Sequence, residues 1–245
     1  NEWCNKLAVK IGAMPVITTA TDARGMFAVD IFATEHNMRI VNPVMIKDIS
    51  GRILNNEPVG ITGNDKYKNL LKVTEERWNG QIKYTDNSNN EYESGVQIIT
   101  GKDDKIVFKR TLKLVPQELA VGIGCKKGKS ANEIERAVKK TFDKAGLLLE
   151  AIAVVASVDR KADEAGIIEF ARKWKVPYKT YTPEYLRNVE GDFVSSAFVE
   201  EQIGVGNVCE RSASAASAGG EKLVGKTADN GITVAIYRVA HKNKE

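Results

Sequence analysis

The residues able to move protons in this chain are notable for what they leave out. Histidine occurs only at His36 and His241, and His241 lies in a charged tail that should fray. A Ser–His–Asp triad or a histidine-rich metal site within these residues is therefore not expected, and no protein metal ligands are assigned. Proton transfer must fall to carboxylates, lysines, or Cys125 and Cys209. The densest run of such groups is residues 157–164, SVDRKADE, where alternating acids and bases can pull pKa values apart and yield one acid and one base. Asp163 reads as the N-cap of a following helix, with Glu164 in its first turn. Asp159, Lys161 and Glu164 stay open between a chemical role and a solvated loop.

Two glycine turns could receive an anion. Residues 122–129, GIGCKKGK, follow an apolar strand and precede a helix, so exposed amides, a helix N-terminus and lysines converge there. The pattern is neither a Walker loop nor a complete dinucleotide fingerprint. Anion binding is favoured over a tight turn with solvated lysines, and phosphate and carboxylate fit equally. Gly122, Gly124, Lys126 and Lys127 are the candidate contacts. Cys125 would have thiolate character at a helix start, although a buried, inert thiol is the preferred reading. The second turn, residues 204–212 (GVGNVCERS), offers Gly206, Asn207 and Glu210, with a Glu210–Arg211 pair as one arrangement and helix capping as the plainer one. Near the start, Thr18, Thr19, Thr21 and Asp22 leave a strand end together. They could hold a polar ligand or form an Asx/Ser-Thr turn.

The elements needed to position these groups follow from periodicity. Residues 119–124, 151–157 and 176–181 read as strands, the first two apolar throughout as in a buried parallel sheet. Between them lie a helix opened by the capping box SANE (130–133) and a helix at about 165–174. Thr182 and Pro183 start another helix, residues 194–203 and 207–218 read as two more, and the chain closes with a hairpin, 222–226 and 232–239, turned at Asn230 and Gly231. Upstream, a helix over 1–11 and a strand over 15–18 lead to helices at 29–37 and 44–54. The polar, Asn-rich residues 62–94 read as loops and short edge strands, and strands follow at 95–100 and 106–115. The fold class is α/β, in two- or three-layer domains, the C-terminal one a mostly parallel sheet flanked by helices. The divisions are 1–41, the end of an N-terminal α/β domain; 42–117, a middle region; and 118–245, the C-terminal α/β domain.

Composition agrees with a globular protein: of 245 residues, 42% are hydrophobic and 28% charged. No apolar run suits a membrane, and residues 1–20 show no signal peptide. Three scattered cysteines fit reduced thiols in a cytoplasmic protein. The net charge of +4 with dispersed lysines does not call for nucleic acid.

In order and spacing, PVITTATD (15–22), VGIGCKKG (121–128), SVDRKADE (157–164) and GVGNVCER (204–211) resemble the cobalt-precorrin-5A hydrolases of cobalamin biosynthesis. The resemblance runs over nearly the whole chain and is loosest over 62–94; from Leu119 on, the chain also resembles a small stand-alone protein of the aerobic branch. It implies an enzyme of the anaerobic branch that opens the δ-lactone of cobalt-precorrin-5A and expels acetaldehyde. The implied partner is a corrinoid polycarboxylate that carries its own cobalt, so no cofactor is expected; a homodimer is compatible. Under a bulky corrinoid, Glu164 would be a general base or acid with a raised pKa, Asp159 its alternative, and Lys161 the holder of a carboxylate or oxyanion. Two departures stand out: Arg160 replaces an expected apolar residue, and the family's Gly-rich, histidine-bearing segment would fall just before Asn1. The alternatives are a non-catalytic corrinoid carrier and a nucleotide-binding α/β enzyme using 122–129 for phosphate.

Overall fold

The computed structural model describes residues 25–193 and 206–240. The expected helices at 1–11 and 194–203, the strand at 15–18, and Thr18, Thr19, Thr21 and Asp22 lie outside the described residues. The chain divides into two compact units, 1–99 with 105–114 and 100–104 with 115–245.

In the first unit, α1 (Val29–Glu35) buries Val29, Phe32 and Ala33, and α2 (Met45–Leu54) buries Ile49 and Ile53. Both stripes follow the helical period of their apolar residues. β1 (Met38–Ile40), β2 (Gly60–Thr62), β3 (Lys83–Tyr84), β4 (Ser94–Ile98) and β5 (Arg110–Pro116) form a sheet in the order β1-β5-β4-β2-β3. Its core gathers Phe27, Phe32, Ile49, Ile61, Leu71, Val96, Leu112 and Leu114. Residues 62–94 depart from the expectation of loops and edge strands, because they contain the helix α3 (Lys68–Arg77). Only Leu71 and Thr74 of α3 are buried, and Val73 is exposed, so its apolar stripe is too narrow to stand out from the polar run. β5 begins at Arg110 instead of 106.

The second unit contains β6 (Leu119–Cys125), α4 (Ala131–Lys144), β7 (Ile152–Val158), α5 (Ala165–Lys173), β8 (Tyr178–Tyr181), α6 (Pro183–Arg187), α7 (Val208–Ala216), β9 (Lys222–Asp229) and β10 (Ile232–Arg238). The sheet order is β8-β7-β6-β10-β9. β6, β7 and β8 run parallel, and the β9–β10 hairpin joins antiparallel along β6. β6 and β7 are buried along nearly their whole length, which explains their lack of polar alternation. The capping box forms as its sequence requires: Ser130 Oγ accepts the Glu133 amide while the Glu133 carboxylate accepts the Ser130 amide. Thr182 likewise caps α6 by accepting the Tyr185 amide. Asp163 does not cap α5. The N-cap is Glu164, because Asp159–Lys161 first closes a 3-10 turn that moves the helix start one residue on.

Candidate functional site

The carboxyl ends of β6 and β7 deliver the two loops singled out above to the same end of the sheet, where open α/β sheets gather ligands. Strand alternation then divides the residues between two faces. Cys125 faces the α5 side with Lys161 and Glu164, both close enough to act on its thiol. Gly122 faces α7, where a Cβ would meet the Cys209 carbonyl oxygen at 1.8 Å. Gly124 shares that face beside Thr233, whose hydroxyl donates to the Gly124 carbonyl at 3.3 Å.

On the α5 side, Glu164 is the centre. Its Oε1 accepts the Gly128 amide at 2.8 Å, and its Oε2 accepts Lys161 Nζ at 2.8 Å. The side chains of Lys161 and Glu164 are only 15% and 9% exposed. Burial pushes the Glu164 carboxyl up, but the Lys161 ammonium, the Gly128 amide and the Lys127 charge outweigh it and hold the group below its usual range. An ion pair that the sequence does not reveal sets this direction, which is opposite to the one expected under a corrinoid. Tyr178 Oη donates to the Lys161 carbonyl at 2.8 Å, anchoring the turn that carries the lysine. Burial pushes the Tyr178 phenol up to about 12. Asp159 sits in the same turn with a buried Oδ1 that accepts no hydrogen bond. Burial also pushes the Cys125 thiol up, against the Lys161 charge, so it is a protonated thiol at neutral pH. Lys126 and Lys127 are exposed, while Lys129 is held by Glu133 at 2.8 Å.

On the α7 side, Gly206 is buried and Asn207 caps α7, its Oδ1 accepting the Glu210 amide at 3.1 Å. Glu210 is 1% exposed. Its Oε1 accepts the Lys226 amide, and its Oε2 lies 3.7 Å from Lys222 Nζ without a hydrogen bond. A Glu210–Arg211 pair does not form. Successive helical residues point in different directions, and Arg211 instead donates to the carbonyls of Leu186, Arg187 and Val189 at 2.9–3.1 Å. Its guanidinium also covers the Phe193 ring at 4.6 Å.

The structure thus groups Cys125, Lys127, Lys161 and Glu164 on one side, and Gly122, Gly124, Asn207 and Glu210 on the other. Sequence reasoning missed Gly128 and Tyr178. Gly128 adopts φ +81 within the glycine turn, and its position just before the cap Ser130 was the available signal. Tyr178 had none, because its partner is a backbone carbonyl. Among the described residues no group of three or more His, Cys, Asp or Glu stands together as for a metal ion, and no helix is long and apolar enough to cross a membrane.

Two family descriptions match the chain: "Cobalamin biosynthesis central region" over residues 27–116 and "Cobalamin synthesis G C-terminus" over residues 119–237. A protein of Salmonella typhimurium named cobalt-precorrin-5A hydrolase is 31% identical over 98% of this chain and 68% of its own length. A probable cobalt-precorrin-5A hydrolase of Methanocaldococcus jannaschii is 28% identical over 96% of this chain and 69% of its own. The cobalt-precorrin-5A hydrolase of Priestia megaterium is 24% identical over 77% of this chain and 52% of its own. Among solved structures, CobE of the cobalamin (vitamin B12) pathway superposes with a TM-score of 0.48, at 29% identity, over 51% of this chain and 92% of its own.

Proposed function

We propose a reaction for this chain from one premise: it belongs to the cobalamin synthesis G family. It is a hydrolase of cobalamin biosynthesis whose substrate is cobalt-precorrin-5A. The observation that carries this reading is the alignment of nearly the whole chain with a relative of that name. Water adds to the δ-lactone carbonyl and the ring oxygen leaves as a hydroxyl. That hydroxyl then loses its proton as its carbon becomes the aldehyde. The electron pair of the broken carbon–carbon bond passes to the macrocycle carbon, which takes up a proton, so lactone and water give cobalt-precorrin-5B and acetaldehyde. Cobalt enters and leaves with the substrate.

The α5 side supplies what these steps need. Glu164, ionised at neutral pH by the Lys161 and Gly128 contacts, accepts the proton of water or hydroxyl, which makes it a base and not an acid at the outset. Asp159, with an unpartnered buried oxygen, is the alternative base. Lys161 holds an oxyanion or a substrate carboxylate, and the exposed Lys126 and Lys127 attract the carboxylate rim of the corrinoid. Of the remaining candidates, Cys125 shares this side, whereas Gly122, Gly124, Asn207 and Glu210 lie on the α7 side, where Gly122 packs against Cys209 and Asn207 caps the helix.

The relatives extend beyond this chain, which spans 52–69% of their lengths, so the test uses the complete gene product. Incubated with cobalt-precorrin-5A without oxygen, it should liberate one acetaldehyde per substrate, read through an NADH-coupled alcohol dehydrogenase. A corrinoid absorbance shift without acetaldehyde would replace this reading by the carrier; no corrinoid response at all would remove both.

A further inference from the structure

Glu164 begins α5 as its N-cap, yet its side chain caps nothing in that helix. It turns instead to a different loop and lies on the Gly128 amide and the Lys161 ammonium, two donors at 2.8 Å, one for each oxygen. That is the arrangement by which proteins seat a free carboxylate. The surroundings suit an exchangeable occupant. The space above the Gly128 Cα is open, with no atom within 4 Å of where a Cβ would stand. The exposed Lys127 adds a second positive charge that acts on the seated carboxylate. Lys129, by contrast, is committed to Glu133 and is not part of the seat.

We propose that the Gly128 amide and the Lys161 ammonium form a carboxylate-binding subsite whose resident occupant is Glu164, and that a carboxylate of the ligand competes with Glu164 for it. Exchange has a chemical consequence. The incoming carboxylate takes over both donors, and Glu164 is left unpaired beside it with a higher proton affinity, as a base requires. Only the identity of the ligand, a corrinoid acetate or propionate arm, rests on the functional reading above; the subsite itself does not.

The test therefore uses tricarballylate, a small polycarboxylate, and the amide resonance of Gly128 in the isotopically labelled chain. In Glu164→Ala the seat is vacant, so tricarballylate should move the Gly128 amide downfield and saturate at a concentration at least about tenfold lower than in the unmodified protein, the scale of one charge-assisted hydrogen bond. Adding Lys161→Met should abolish the response. If Glu164→Ala does not fold, Glu164→Gln gives the same comparison, since a neutral amide competes less well for Lys161. A Gly128 amide that ignores tricarballylate in the folded variant, or equal affinity with and without Glu164, overturns the proposal and makes the contact a fixed loop anchor. A parallel titration with cobyrinic acid, read by absorbance, should follow the same order. Success with tricarballylate and failure with cobyrinic acid supports the subsite while removing the corrinoid reading.

Discussion

Gly122 lies directly against Cys209: a side-chain carbon on Gly122 would stand 1.8 Å from the Cys209 carbonyl oxygen and 2.9 Å from the Ala213 amide nitrogen. Neither neighbour is a flexible side-chain tip, so nothing there can rotate away. The missing Cβ is what lets α7 rest on β6. Gly122→Ala should therefore destabilise the second unit by at least the ~1–3 kcal/mol typical of overpacking. The check is the urea midpoint of unfolding, expected to fall with little change of slope. An unchanged midpoint would mean that α7 does not approach β6 this closely.

Catalysis should depend on Glu164. Glu164→Gln keeps the shape and removes the proton acceptor, so acetaldehyde release should fall by ~10²–10⁴ without weaker corrinoid binding. Its lowered pKa keeps the base ionised through neutrality. The acid limb of kcat/KM should then lie below the ordinary glutamate value of about 4.3. A limb near neutrality, or near-normal turnover in both Glu164→Gln and Asp159→Asn, would place the base elsewhere.

Lys126 and Lys127 are exposed at the lip of the glycine turn, where the Lys127 charge acts on Glu164. Reversing both charges, Lys126→Glu with Lys127→Glu, should leave the circular dichroism unchanged and weaken corrinoid binding by at least about tenfold. Unchanged affinity would make them solvated lysines and nothing more.

Acid should loosen the N-terminal end of α4. Hydrogen bonds from Lys129 and from Ser130 lower the Glu133 pKa from 4.5 to about 2. For a carboxyl depressed in the folded state, the contribution is complete above 4.5 and fades as pH falls from there towards about 2. Ser130→Ala removes one arm of the cap and should cost about 1 kcal/mol at neutral pH. The pH dependence of its thermal midpoint between about 5 and 2 should be shallower than that of the unmodified protein. Parallel curves would show that Glu133 is not linked to folding through this cap.

What the sequence determined by itself was whatever depends on neighbours in the chain. The unalternated apolar runs of β6 and β7, the Ser130–Glu133 box, the Thr182 cap and the Asn230–Gly231 hairpin are local signals, and each forms as read because few residues decide it. The near absence of histidine likewise limited the chemistry to carboxylates, lysines and thiols before any fold was known. Tertiary structure decided the rest. Glu164 meets Gly128 across 36 residues, and this contact, with Lys161, is what lowers its pKa. Arg211 leaves its sequence neighbour Glu210 for carbonyls more than twenty residues away, because a helix sends consecutive side chains in different directions. Composition shows which charges exist. Their protonation and pairing are set by which distant backbone groups and opposite charges the fold brings within hydrogen-bonding distance.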